Sequence, residues 1–161
     1  MVFKRPSKTK EPDSPEHAYN YAIFLLGLSM RTEFEMRRKM QVRGYVAEVL
    51  EETMTRLLAE KLLDDQHYAE VYLTNLKEYR NFGFYGIKKK MTEKHLPKEY
   101  VEELLERELT VAEESKIAQR FVTKEMGDQT KSSLTQEQKQ KLAQKLQARG
   151  FRMDVIAKLI F

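Results

Sequence analysis

Residues 36–45 read MRRKMQVRGY, residues 87–96 read IKKKMTEKHL and residues 142–151 read LAQKLQARGF. In all three segments the first, fifth and tenth residues are apolar, and the fourth and eighth are lysine or arginine. This spacing is typical of an amphipathic helix that ends just before its tenth residue. The segments follow one another at steps of 51 and 55 residues. Similarity at such a period indicates a repeat protein.

The same steps align a second set of apolar positions further along each segment. The three aligned triplets are Val49, Tyr100 and Val155, then Leu50, Val101 and Ile156, then Met54, Leu105 and Ile160. We therefore predict an all-α protein of tandem three-helix repeats at 17–62, 64–109 and 111–161, forming an elongated, curved array. Residues 1–16 lack an apolar period and contain three prolines, so we predict a disordered tail there.

Composition excludes several classes of protein. The chain has 161 residues with six glycines, four prolines and no cysteine. Glycine and proline are too scarce for an all-β sandwich or a phosphate-binding loop, and cysteine chemistry is absent. The three histidines, His17, His67 and His95, lie far apart in the sequence. We predict no enzyme activity, no cofactor, no metal site and no membrane-spanning segment.

Local signals mark where several helices begin and end. Thr32 stands three residues before Glu35, and Thr135 stands three residues before Gln138, which is the spacing of a capping box. Asp64 and Asp65 are suited to cap the helix that follows them. His95 aligns with Gly44 and Gly150, so we expect all three at the end of a middle helix. The pattern also predicts Leu58 on a buried helix face and a polar loop at 127–133.

Charge alternates along the repeats although the net charge is only +4. Basic residues concentrate at 31–43, 88–98 and 139–152, and acidic residues at 46–60 and 99–114. Two interpretations remain open: a solvated face balanced by neighbouring acidic helices, or a surface that binds an acidic protein or phosphates. The candidate binding residues are Arg37, Arg38, Lys39, Arg43, Lys88, Lys89, Lys90, Lys94, Lys145 and Arg149.

Residues 83–86 read GFYG and precede three consecutive lysines. A G-x-x-G loop clamps nucleic-acid backbone in KH modules, but those modules need strands that this sequence does not predict. Two hypotheses therefore remain: a helix–helix turn in which the glycines relieve backbone strain, or a flexible aromatic and basic turn on a binding surface.

Residues 62–69, LLDDQHYA, resemble the L-[LD]-D-D-x-x-[FY]-A motif of the RecX family, regulators of the RecA recombinase. Residues 31–45 are similar to the family segment S-R-x-E-L-x-x-K-L-x-x-R-G-[FY]. Residues 83–91 resemble G-x-G-P-x-x-I-x-x-E-L, with Tyr85 at the usual proline and Lys90 at the usual glutamate. Residues 94–96 are similar to K-G-[IV], with His95 in place of glycine. The resemblance covers about residues 19–107 and extends more weakly to 147–151.

The resemblance implies a non-enzymatic protein of tandem three-helix repeats that binds the active RecA–DNA filament along its helical groove. It implies restraint of ATP hydrolysis and strand exchange, and hence a role in homologous recombination, DNA repair and the SOS response. We expect a cytoplasmic monomer, with single- or double-stranded DNA as a further candidate partner. The alternative is a stand-alone DNA-binding protein with helix-turn-helix-like modules.

Overall fold

The computed structural model describes residues 7–127 and 134–161, and every regular element in these two ranges is an α-helix. The helices are α1 (Pro15–Leu28), α2 (Glu33–Arg43), α3 (Ala47–Ala59), α4 (Asp65–Glu78), α5 (Phe84–Glu93), α6 (Lys98–Glu108), α7 (Val111–Met126), α8 (Gln136–Ala148) and α9 (Met153–Ile160). The prediction of an all-α chain of helical repeats is confirmed. Most of the predicted loop at 127–133 and residues 1–6 of the predicted tail lie outside the described residues.

The aligned apolar positions form the core, which explains why they recur. Each helix triplet, α1–α3, α4–α6 and α7–α9, contributes six of these positions from its second and third helices and the turn between them. All of them are buried except Tyr100, which is half-buried. The predicted burial of Leu58 is wrong: it is 38% exposed, because Leu57 beside it takes the inward-facing position. One helix face accommodates only the residues three or four apart.

The chain divides into two compact units, one ending at Tyr68 and the other comprising Ala69–Phe161, so α4 runs through the boundary. In the first unit, α1 packs against both α3 and α2, and α2 packs against α3. Ala18 and Ala22 of α1 are fully buried, as are Met36 and Met40 of α2. Small side chains on α1 leave room for the long, adaptable methionine side chains of α2.

In the second unit, the GFYG segment packs directly on the end of α8. The Gly83 N–H donates to the Arg149 carbonyl oxygen at 3.1 Å, and the Tyr85 N–H donates to that of Gly150 at 2.9 Å. A Cβ added to Gly83 would lie 2.5 Å from the Phe151 nitrogen, and one added to Gly86 would overlap the Arg149 carbonyl oxygen. The glycines are therefore required for close approach between two repeats.

The predicted helix ends are confirmed at several positions. Thr32 with Glu35 and Thr135 with Gln138 both form reciprocal capping boxes. Gly44, His95 and Gly150 all have positive φ, of 94°, 54° and 78°. The three repeats thus share one backbone conformation after the middle helix. His95 adopts it despite a Cβ, which costs about 1–2 kcal/mol.

The two aspartates of the LLDDQHYA segment cap two different helices. The Asp64 carboxylate accepts from the His67 N–H at 2.9 Å, which confirms its predicted role in α4. The Asp65 carboxylate instead accepts from the Glu33 N–H at 2.8 Å, at the first residue of α2. Burial raises the pKa of Asp65, although this hydrogen bond opposes the shift.

Glu114 joins repeats two and three in a similar way. This fully buried carboxylate on α7 accepts from the Phe84 N–H at 3.0 Å, at the first residue of α5. It also accepts from the Arg152 N–H at 2.9 Å and forms an ion pair with the Arg152 guanidinium at 2.5 Å. A buried carboxylate needs several such donors to offset its lost hydration. Glu114 therefore ties the starts of α5 and α9 to α7.

The residues just before α1 are hydrogen-bonded to the first repeat. The Thr9 N–H donates to the Arg43 carbonyl oxygen at 2.8 Å, and the Val46 N–H donates to that of Pro12 at 2.9 Å. Ser14 caps α1 by accepting from the His17 N–H. Residues 9–14 thus line the turn between α2 and α3, and α1 begins at Pro15, two residues before the predicted start of the repeat.

Candidate partner-binding surface

The last cation of each middle helix contacts an aromatic ring on the first helix of the same repeat. The distances from cation to ring centroid are 5.2 Å for Arg43 to Tyr21, 5.8 Å for Lys94 to Tyr72, and 4.8 Å for Arg149 to Phe121. Such cation–π contacts contribute about 0.5–1 kcal/mol at exposed sites. These three aligned cations, all predicted to bind a partner, therefore have a structural contact that accounts for their recurrence.

Two further predicted residues form the same ion pair in successive repeats. Arg37 of α2 pairs with Glu51 of α3, and Lys88 of α5 pairs with Glu102 of α6 at 2.8 Å. Both members of the second pair lie 51 residues after their counterparts in the first. The hydrogen bond from Lys88 lowers the pKa of Glu102. These pairs show that the acidic third helix balances part of the basic middle helix within each of the first two repeats.

In the larger unit, three of the predicted cations make further side-chain contacts: Lys90, Arg149 and Lys145. The Lys90 Nζ lies 4.7 Å from the Phe82 ring centroid, and the Arg149 Cζ lies 5.3 Å from the same ring. Lys145 forms an ion pair with Glu125 of α7.

A groove of about 320 Å³ opens beside these contacts in the larger unit. Its lining includes Phe82 and Arg149 together with Tyr79, Arg80 and Lys124. Tyr79 is 79% exposed. Sequence reasoning missed Tyr79, Arg80 and Lys124 because they lie outside the three aligned segments.

Arg38, Lys39 and Lys89 remain as exposed cations of the predicted set. Across residues 7–127 and 134–161, none of the three makes a hydrogen bond or an ion pair. Arg38 and Lys89 are aligned positions one repeat apart. Their charges therefore remain available to a partner.

The histidines have local structural contacts. The His17 Nδ1 lies 2.7 Å from the Tyr45 hydroxyl, and His67 provides a capped N–H in the first turn of α4. Among the residues that the structure describes, no group of three His, Asp or Glu side chains could hold a metal ion. No described helix is both long and apolar enough to cross a bilayer.

Sequence comparisons agree with this arrangement of helices. The family model described as RecX, first three-helix domain, matches residues 18–57, and the one described as RecX, third three-helix domain, matches residues 112–160. A regulatory protein RecX from Haemophilus influenzae (strain PittEE) is 30% identical over 145 residues, covering 89% of this chain and 92% of the relative. The chain belongs to the RecX family.

Other RecX relatives support the same assignment. Regulatory protein RecX from Trichlorobacter lovleyi is 26% identical over 147 residues, covering 91% of this chain and 96% of the relative. The RecX protein of Levilactobacillus brevis is 31% identical over 157 residues, but this chain spans 56% of its length.

Solved RecX structures share the fold. The crystal structure of RecX from Lactobacillus salivarius matches with a TM-score of 0.77 at 21% identity, covering 91% of this chain and 94% of that one. A second structure of a regulatory protein RecX matches with a TM-score of 0.75. The two family models match α1–α3 and α7–α9 of this chain, so these two helix triplets correspond to the first and third three-helix domains of RecX.

Proposed function

We propose that this chain binds the active RecA–DNA filament and restrains its ATP hydrolysis and strand exchange. The observation that carries the proposal is the exposure of Arg38, Lys39 and Lys89 on equivalent faces of two successive repeats. Membership of a family of regulatory proteins supports the regulatory role, and the family resemblance supplies RecA as the partner. The chain acts as a binding protein rather than an enzyme, and we expect a monomer that meets RecA in the cytoplasm.

Repetition gives this surface its physical advantage. A filament presents the same subunit surface again and again, and repeats present similar cations at intervals along one chain. Contacts that are weak one at a time become strong together when a linked chain makes several of them. Binding that holds neighbouring subunits in one arrangement opposes the rearrangements that hydrolysis and strand exchange require.

The direct test titrates the protein into DNA-dependent ATP hydrolysis by RecA. We expect hydrolysis to fall as the protein is added. The triple variant Arg38→Glu, Lys39→Glu and Lys89→Glu should lose most of this effect, because charge reversal turns attraction into repulsion. No effect of the unmodified protein at several-fold excess would contradict the proposal.

A matched control separates the surface from the total charge. The triple variant Lys61→Glu, Lys98→Glu and Lys158→Glu makes the same change in net charge at exposed lysines outside the middle helices. It should inhibit RecA as the unmodified protein does. Equal loss of inhibition in both triple variants would show a general electrostatic effect and refute the assignment to the middle helices.

The alternative, a stand-alone DNA-binding protein, is disfavoured by the third helices. Helix-turn-helix modules insert one helix into the major groove. In the first repeat, the exposed face of α3 carries Glu48, Glu51 and Glu52. Carboxylates on that face would repel phosphates. Tight, strongly salt-dependent binding to duplex DNA without RecA would favour the alternative.

A further inference from the structure

A groove between α1 and α2 combines an apolar floor with a basic rim. It has a volume of about 430 Å³. Tyr21, Leu25 and Val42 line its apolar part, and Arg31, Arg38 and Lys39 supply its cations. Glu35 also lines the groove, but its carboxylate accepts from the Thr32 N–H at 3.3 Å in the capping box. The groove therefore presents an excess of positive charge around an apolar surface.

The apolar surface extends beyond the groove along α1. Phe24 is 60% exposed and Leu28 is 64% exposed, and Val42 on α2 is 48% exposed. Tyr21, Phe24, Leu25 and Leu28 follow the i, i+3, i+4, i+7 spacing of one helix stripe. The stripe is about 10 Å long, which corresponds to two turns of helix. Leu25 is buried and Tyr21 is half-buried, so Phe24 and Leu28 supply most of the exposed surface of this stripe. Large exposed apolar side chains close together are a mark of an interaction site.

Arg31 adds to this surface a hydrogen-bond donor that lacks an acceptor in the part of the chain that the structure describes. Its Nε is shielded from solvent and has no hydrogen-bond acceptor among the described residues. A buried donor without an acceptor is unfavourable, and a carboxylate is the strongest acceptor that could satisfy a guanidinium. Arg31 lines the groove, so an acidic side chain bound there would be within its reach.

The second repeat does not reproduce this combination. One repeat later, Phe82 occupies the position of Arg31 and Glu93 occupies that of Val42. A cation is thus replaced by an aromatic ring, and an apolar residue by an acid. Phe82 is also already covered by Lys90 and Arg149. The basic apolar groove is therefore a property of the first repeat and not of the repeat pattern in general.

We propose that the α1–α2 groove of the first repeat binds an acidic amphipathic helix of a protein partner. Apolar side chains of that helix occupy the surface formed by Tyr21, Leu25 and Val42, and its carboxylates face Arg31, Arg38 and Lys39. An amphipathic helix in an apolar groove is a common mode of peptide recognition. The inference rests on the proposed function for the partner's identity, since it assigns this contact to the protein subunits of the filament rather than to its DNA.

The test uses a synthetic probe and no RecA. The probe is a fluorescein-labelled peptide of about 15 residues with leucines at i, i+4, i+7 and i+11, glutamates at four other positions and alanines elsewhere, which favours a helix long enough to span the stripe. Its anisotropy should rise on titration with the full chain. A companion peptide with lysine in place of glutamate should bind about tenfold more weakly or not at all. Equal binding of the two peptides, or no binding of the acidic one, would overturn the proposal.

Variants then locate the site. The pair Arg38→Glu with Lys39→Glu should weaken binding of the acidic peptide about tenfold. The matched pair Lys89→Glu with Lys90→Glu, one repeat later, should leave it unchanged. Val42→Glu introduces the acid that the second repeat has at Glu93 and should also weaken binding. Arg38, Lys39, Val42 and Lys89 are exposed and Lys90 is half-buried, so circular dichroism checks that every variant keeps its helical content.

Nucleic acid is the competing occupant, and it gives a different result. The proposal is wrong if two results are found together. A labelled thymidine oligonucleotide displaces the acidic peptide, and the variant with Arg38→Glu and Lys39→Glu no longer binds that oligonucleotide, which would show that the groove binds phosphates. Because RecA is absent from these titrations, their outcome is separate from that of the ATPase assay. Loss of RecA inhibition with intact peptide binding would contradict the proposed function alone.

Discussion

Replacing Gly86 by alanine tests the close contact between repeats two and three. Gly86 lies in the first turn of α5, and a methyl group there would overlap the carbonyl oxygen of Arg149 and lie 3.0 Å from its carbonyl carbon. That oxygen accepts the Gly83 N–H hydrogen bond. The methyl group can therefore be accommodated only if the end of α8 moves away from α5.

The change in the free energy of unfolding follows from two destabilising contributions and one stabilising contribution. An ordinary contact between carbon and carbonyl oxygen is about 3.3 Å, so the Arg149 carbonyl must move by about 1 Å. Overpacking of this kind costs about 1–3 kcal/mol, and the weakened hydrogen bond from Gly83 costs about 1 kcal/mol more. Alanine is favoured over glycine in a helix by about 1 kcal/mol, which offsets part of the loss. We expect Gly86→Ala to lower the free energy of unfolding by about 1–3 kcal/mol.

Gly27 provides a matched control in the chain itself. It lies in α1, and a Cβ added there would have no heavy atom within 4 Å. Gly27→Ala has the helical preference without the steric cost, so it should raise the free energy of unfolding by about 0.5–1 kcal/mol. Urea unfolding followed by far-ultraviolet circular dichroism measures both variants, provided that the slope against denaturant stays constant.

The two alanine variants should therefore change stability in opposite directions. A Gly86→Ala protein that resists urea as well as the Gly27→Ala protein would refute the reasoning. It would mean that α5 and the end of α8 do not approach at backbone distance. A changed urea slope would instead indicate that the larger unit no longer unfolds as one cooperative body.

Further predictions concern helix ends and titration. Gly44→Ala should lower stability by about 1 kcal/mol and Lys61→Gly should raise it by a similar amount, because both positions have positive φ; opposite shifts in thermal midpoint check this. Thr32→Ala and Thr135→Ala should each cost about 1 kcal/mol through loss of a capping box, seen as faster amide exchange in the first turn of α2 or α8. Burial raises the pKa of Asp65, so its contribution to stability is fullest below the ordinary value of 3.8 and falls as pH rises through the folded-state pKa. Asp65→Asn keeps a hydrogen-bond acceptor and should flatten this fall in urea melts taken at pH values from below 3.8 upward, whereas an unchanged slope would contradict the burial argument.

Features that depend on neighbours along the chain could be predicted from sequence. Thr32 and Glu35 lie in one helical turn, so their spacing alone identified the capping box. Gly44 and Gly150 follow amphipathic segments directly, and their positive φ follows from that position. The core residues could be predicted because the repeats present the same side-chain pattern three times. Such recurrence distinguishes an inward face from chance periodicity.

Features that depend on contacts between distant residues could not be predicted. Nothing near Asp65 in the sequence shows that its carboxylate reaches Glu33 of another helix. The alignment of Arg43, Lys94 and Arg149 was visible, but their contacts with rings on the preceding helices were not. Tyr21 and Tyr72 each lie 22 residues before the cation that they contact, whereas Phe121 lies 28 residues before Arg149. Recurrence of a charge therefore indicated a shared role without revealing whether that role was internal or directed to a partner.

The carboxylates that cap a helix of the preceding repeat also determine the order in which hydrogen bonds can form during synthesis of the chain. A ribosome releases residue 33 before residue 65 and residue 84 before residue 114, so α2 and α5 leave the exit tunnel before the acids that complete their first turns. About 30 more residues must therefore be synthesised before the capping carboxylate of each helix is available. At ordinary rates of synthesis this delay is several seconds or less. Like α2, α8 has a capping box of its own, formed by Thr135 with Gln138, so this part of its first turn is completed by residues that leave the ribosome together.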